Sequence, residues 1–288
     1  FSTSAELLNS IFYDLKTKSL NSTLLGLSSG FYDLDSLTQG FQKSDLIIIA
    51  GRPSMGKTAL GLNIALNITK NSRLPILFFS LEMSKEQIMY RLLSMETNIS
   101  QMKLKSGKLS QNDWSKLNKI VKILSKLPIF IDDSFNLSIL DIRSKIKTII
   151  FEQNNIGLII LDYLQLMQSS NNERENRVQE LSKITRSLKT LAREFNIPII
   201  ALSQLSRNVE NRIDKRPILS DLRESGSIEQ DADLVLMLHQ NNQYNSNQPN
   251  EQTLQITELL IAKQRNGPIG SINLKFDQKC TKFFDINN

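Results

Sequence analysis

The sequence predicts an α/β protein with a doubly wound, mostly parallel central sheet, and three observations carry that prediction. Short apolar, β-branched runs alternate with amphipathic helical patterns through most of the 288 residues. Within each run the apolar residues are consecutive rather than alternating, as in strands covered on both faces. The segment Gly51-Arg52-Pro53-Ser54-Met55-Gly56-Lys57-Thr58 joins one such run to a helical pattern and matches G-x-x-x-x-G-K-[ST] in full.

Thr3 to Lys18 is expected to form a short amphipathic helix, since Leu7, Leu8, Ile11, Phe12 and Leu15 recur at i, i+3/i+4 and make one apolar face. Alone, such a face has little to bury against; it folds back on its own domain or docks on another subunit. Asn21 to Ser29 reads as a linker, which sets residues 1–26 as helix and connector and residues 27–288 as the main domain. Strands are expected at Leu46–Ala50, Ile76–Ser80, Ile129–Ile131, Leu158–Leu161 and Ile197–Leu202. Helices are expected between and after them, at Thr58–Asn71, Lys85–Glu96, Gln111–Lys126, Ile139–Gln153 and Asn176–Glu194. Right-handed βαβ crossovers of this length build a doubly wound fold. After Asp233 strands follow one another without helices: Leu234–Leu238, Leu254–Lys263, Ser271–Phe276 and Thr281–Phe284. Asn266-Gly267 marks a hairpin among them, giving a C-terminal β-hairpin extension. Gln240 to Asn250, rich in Asn and Gln, reads as a loop.

Composition narrows the class. Apolar residues make up 40% and charged residues 22%, ordinary for a globular protein. No run approaches the roughly eighteen apolar residues of a transmembrane helix. The net charge of +6 suits polyanionic partners, or simply a mildly basic surface. One cysteine, Cys280, excludes an internal disulfide framework, and with one histidine, His239, no ordinary His/Cys metal site is available. The chain starts at Phe1 rather than Met and shows no secretory signal, so it is expected to begin inside a longer protein. Trp114 at a helix start is expected to pack as core, as are Met83, Met89 and Met95.

The phosphate loop is the most specific feature. Its glycines let the backbone wrap a phosphate, and amides at the helix N-terminus face negative charge. The nucleotide-binding set is Ser54, Met55, Gly56, Lys57, Thr58 and Ala59. Lys57 reaches the β- and γ-phosphates, and the Thr58 hydroxyl takes a place on Mg²⁺. Leu158–Asp162 is an apolar strand ending in an acid; Asp162 either holds Mg²⁺ through water or caps a helix. Tyr163 follows it, so an Asp-Glu pair is absent there. The water-activating carboxylate is then sought at Glu82, just past the strand ending at Ser80–Leu81, where helix capping near Ser84 is the competing role. Gln204, just past another strand, either senses the γ-phosphate or is a solvated loop residue.

These segments together resemble the C-terminal domain of DnaB-type replicative DNA helicases. The resemblance rests on Ala50 through Thr58, Phe79-Ser80-Leu81-Glu82-Met83, Leu161 through Met167 and Ala201-Leu202-Ser203-Gln204-Leu205. It continues through Asp214-Lys215-Arg216-Pro217, Asp221 through Asp233, and Ala262 through Pro268, and spans about Leu27 to Phe284. It implies a RecA-like fold, ATP with Mg²⁺ at subunit interfaces, and a homo-hexameric ring that moves 5′ to 3′ on single-stranded DNA. It further implies that Glu82 is the catalytic carboxylate, Gln204 a coupling amide, and Lys263 and Arg265 a cationic pair reaching the neighbour's ATP. Without it, Lys263 and Arg265 read as an exposed strand edge. For DNA, Arg223, Glu224 and Gly226 match the family's strand-gripping loop. Arg207, Arg212, Lys215 and Arg216 add positive charge suited to phosphates. The first helix resembles the family's linker helix. Primase and a helicase loader are expected as partners through regions outside this chain, and no membrane is expected. The alternative is a RecA-like ATPase used as a switch or scaffold. Abundant Asn, Ile and Lys suggest an AT-rich genome, hence a plastid stroma or a bacterial cytoplasm.

Overall fold

The computed structural model describes residues 3–20, 24–162, 164–167, 177–206, 209–210, 212, 214–222, 226–240 and 254–286. Among these residues nine strands form one sheet in the order β3-β2-β4-β5-β1-β6-β7-β8-β9. The first six in that order are β3 (Ile129–Asp132), β2 (Ile76–Ser80), β4 (Leu158–Asp162), β5 (Ile199–Gln204), β1 (Leu46–Gly51) and β6 (Leu234–Gln240). All of them run parallel. Then β7 (Leu254–Gln264), β8 (Gly270–Asp277) and β9 (Lys282–Asp285) extend the sheet antiparallel.

The parallel strands are where consecutive apolar residues placed them. Every residue of β1, β2 and β4 is buried, because helices cover both faces. On one face α3 (Lys57–Ser72) and α4 (Lys85–Thr97) pack with Ile47, Ile49, Phe78, Ile160 and Leu202. On the other, α7 (Ile139–Gln153) and α8 (Arg177–Phe195) cover Ile48, Phe79, Ile159, Leu161 and Ala201. The alternation of strand residues between two cores is the period-two geometry of a pleated sheet. Strand β5 starts two residues later than Ile197, since the Ile197 amide still donates to the Ala192 carbonyl of α8 and Pro198 has no donor.

Helix α6 (Gln111–Leu124) ends two residues short of the expected Lys126. Three short helices went unforeseen: α2 (Tyr32–Thr38), α5 (Gln101–Ser106) and α9 (Gly226–Asp231). The connector expected through Ser29 is already structured at Leu27, which forms an isolated antiparallel bridge with Phe41. Two packing expectations fail. Trp114 is 54% exposed, because the buried face of α6 is set by Leu117 and Leu124. Met89 is also exposed on α4, whereas Met95 is buried and Met83 packs against the core edge. Helix α1 (Ser4–Leu20) presents Leu8, Ile11 and Phe12 to solvent. No helix among the described residues is long and apolar enough to cross a membrane.

Candidate active site

The register of the parallel strands brings the candidate residues to one edge. Gly51 at the end of β1 is level with Gln204 at the end of β5, and Ser80 of β2 is level with Asp162 of β4. The phosphate loop, Glu82, Asp162 and Gln204 therefore leave the sheet together at its carboxyl edge, where open α/β sheets take ligands. A cavity of about 440 Å³ opens there. Of the expected nucleotide set, Ser54, Gly56, Lys57, Thr58 and Ala59 line it, as do Glu82, Asp162 and Gln204. Met55 does not; its side chain lies against the core and a neighbouring cavity.

Gly56 takes φ +85° and a Cβ there would meet the Phe283 ring at 3.0 Å and the Phe276 ring at 3.1 Å. Only glycine combines that backbone with so close an approach. The two rings are stacked, with centroids 4.4 Å apart, so the C-terminal strands form a floor under the loop.

The charged groups are arranged for a phosphate and a divalent cation. The Lys57 ammonium donates to the Gly51 and Arg52 carbonyls at 3.0 and 3.1 Å, and burial holds its pKa below the usual lysine range against the pull of Asp162 and Glu82. The Thr58 hydroxyl donates to Asp162 Oδ2 at 2.7 Å. Asp162 is 1% exposed, and burial, with nearby Glu82, pushes its pKa up to about 6 despite that hydrogen bond and the nearby Lys57 and Arg91 cations. A carboxylate so costly to ionise, beside a hydroxyl and a second carboxylate, fits a hard cation such as Mg²⁺ with oxygen ligands.

The helix-capping alternative for Glu82 meets a rival. Ser84 caps α4, accepting from the Gln87 amide at 3.4 Å while Gln87 Oε1 accepts from the Ser84 amide at 3.3 Å. Arg91, Phe276 and Thr281, to which sequence reasoning assigned no role in the site, also line the cavity, as does Met83, expected only as core. Arg91 is largely buried, which lowers its pKa, while Asp162 and Glu82 oppose that shift. Its signal was faint, a cation two turns into the helix that follows Glu82.

Lys263 and Arg265 lie elsewhere. The Arg265 amide donates to the Asp233 carbonyl at 2.9 Å, and the Asp233 amide to the Leu46 carbonyl at 2.9 Å. Leu46 opens β1, whereas the phosphate loop follows its other end, about 17 Å away. The Lys263 ammonium caps α9, donating to the Ala232 carbonyl at 2.7 Å and to Glu229, and Arg265 pairs with Asp233 at 3.3 Å. Arg207, Arg223 and Glu224 lie outside the described residues, and Gly226 opens α9. Two of the basic residues near them are already paired, Arg212 with Asp221 and Arg216 with Glu258, so the positive charge they were expected to add is largely offset.

Residues 26–285 match the model of the DnaB-like helicase C terminal domain. A "Probable replicative DNA helicase" of Trieres chinensis is 71% identical over 282 residues, 98% of this chain and 62% of that protein. The "Replicative DNA helicase DnaB" of Geobacillus stearothermophilus is 49% identical, over 91% of this chain and 57% of its own length. The chain thus spans about three fifths of the length of these relatives. Among solved structures, the "ATPase Domain of G40P" superposes with a TM-score of 0.90 at 36% identity, over 99% of both chains.

Proposed function

This chain belongs to the DnaB-like helicase C-terminal domain family, and on that premise we propose that it is the ATP-hydrolysing motor domain of a replicative DNA helicase. It works as a homo-hexameric ring that translocates 5′ to 3′ along single-stranded DNA. The observation that carries the chemistry is the convergence of Lys57, Thr58, Glu82, Asp162 and Gln204 on one cavity at the carboxyl edge of the sheet.

The triphosphate lies on the amides of the phosphate loop, and Lys57 exchanges its two carbonyl partners for the β- and γ-phosphates. Thr58 and Asp162 would hold Mg²⁺, which would neutralise charge on the phosphates. Glu82 orients the attacking water and accepts its proton. Gln204, with its backbone level with the phosphate loop, reports whether the γ-phosphate is present. Arg91 balances the two carboxylates. Phe276 supplies an apolar wall for a planar base.

Arg265 is too far from its own phosphate loop to serve it, so it acts with Lys263 on the ATP of a neighbouring subunit. Helix α1 docks its exposed Leu8, Ile11 and Phe12 on that neighbour. Arg223, Glu224, Gly226 and Arg207 hold the DNA backbone without reading sequence. A primase and a helicase loader are the further partners in this reading. The Trieres chinensis relative and the abundance of Asn, Ile and Lys in this chain favour a plastid stroma over a bacterial cytoplasm.

The test is Glu82→Gln. It should bind a fluorescent ATP analogue normally while turnover falls about 100-fold or more, with strand displacement on a forked duplex lost in parallel. Turnover and unwinding kept near wild type would remove Glu82 from this role.

A further inference from the structure

Arg52 belongs to the phosphate-loop motif, yet its side chain turns away from the nucleotide cavity. It lines a second cavity of about 470 Å³, together with Met55, Val209, Glu210, Lys215 and His239. All three of its guanidinium nitrogens are engaged. Nε donates to Glu210 Oε1 at 2.9 Å, Nη2 reaches the same oxygen, and Nη1 donates to the Leu205 carbonyl at 3.2 Å. The backbone returns the tie, for the Leu205 amide donates to the Gly51 carbonyl at 3.2 Å.

The acceptors at the near end of this tie are the ones that hold Lys57. Gly51 and Arg52 present their carbonyls to the Lys57 ammonium. A pull on Arg52 therefore displaces the atoms that keep Lys57 off the phosphates. At the far end, the segment leaving β5 is closed on itself. Leu205 bridges Leu222, the Ser206 amide donates to the Asp221 carbonyl at 2.8 Å, and Arg212 pairs with Asp221. The cavity beside Arg52 and Glu210 leaves room for both side chains to move.

We propose that Arg52 and Glu210 are positioning residues that relay strand engagement from the segment that carries Glu210 to Lys57 in the phosphate loop. This rests on the functional reading above, in which that segment leads into the DNA-contacting loop. Binding of DNA shifts Glu210 and the Leu205 carbonyl, Arg52 follows, and its own carbonyl and that of Gly51 release Lys57 toward the γ-phosphate. Linkage makes the relay reciprocal, so ATP must alter DNA affinity through the same contact. A merely stabilising role is a poor fit. The Glu210 side chain is 58% exposed, and an ion pair with so wet a partner adds little to stability.

Glu210→Ala and the near-isosteric Glu210→Gln are measured with oligo-dT as the probe, reading ATP turnover with and without it, oligo-dT affinity with and without a non-hydrolysable ATP analogue, and the melting temperature. The expected result is basal turnover within about twofold of wild type and an unchanged melting temperature. Stimulation by oligo-dT should drop about fivefold or more, and the analogue should no longer shift oligo-dT affinity. Glu210→Asp should recover part of the stimulation. Full stimulation in both Glu210→Ala and Glu210→Gln would overturn the relay alone, as would loss of basal turnover in a folded variant. Wild-type turnover indifferent to oligo-dT would overturn the functional reading and the relay with it.

Discussion

Asp162 carries the clearest single-residue consequence. Its pKa of about 6 lies above its ordinary value because the group is buried beside Glu82, with Thr58, Lys57 and Arg91 pulling the other way. The protonated form is therefore favoured below that value, and a proton must leave before the carboxylate can serve a cation. Mg²⁺-dependent affinity for a fluorescent ATP analogue should fall as pH drops from 7.5 through 6, about tenfold per pH unit once Asp162 is protonated. The same titration on Asp162→Asn should lose that step. A wild-type affinity flat from pH 7.5 to 5 would show that Asp162 does not face the metal. The sign for folding follows from the same shift. The raised pKa favours the folded state at acid pH, and this contribution is lost as pH rises through about 6.

At the scale of elements, the phosphate loop depends on strands far from it in sequence. Gly56 combines positive φ with contact to the stacked Phe276 and Phe283 rings, whereas Gly107 has positive φ but only open space where a Cβ would stand. Gly107→Ala should cost only the backbone strain, about 1 kcal/mol, in urea unfolding. Gly56→Ala should cost about 2–4 kcal/mol, since overpacking against aromatic rings is added, and should also weaken nucleotide binding. Equal losses would contradict the aromatic floor. The long elements were legible because their periodicity is strong: β2 and α7 have the bounds expected of them. Helices α2, α5 and α9, of six or seven residues, carry too little pattern to read. Within the site, Lys57, Asp162 and Glu82 follow strands and could be found along the chain. Arg91, Phe276 and Thr281 reach the cavity only through packing of α4 and the C-terminal strands, which no local pattern encodes.

For the whole molecule, the sheet separates two ends with different duties. Its carboxyl edge holds the nucleotide cavity, and the start of β1 holds Asp233 and Arg265. A chain built this way cannot bring its own Arg265 to its own phosphate loop, and α1 leaves Leu8, Ile11 and Phe12 in water. In the proposed ring a neighbouring copy would resolve both features. The measurement that tests this most directly is ATP turnover per chain against chain concentration, with and without single-stranded DNA at fixed moderate salt. Turnover should rise cooperatively with concentration and rise again with DNA, as a site completed by a neighbour and gated by the strand requires. Turnover per chain that is constant with concentration and indifferent to DNA would contradict it, and would describe a self-sufficient ATPase instead.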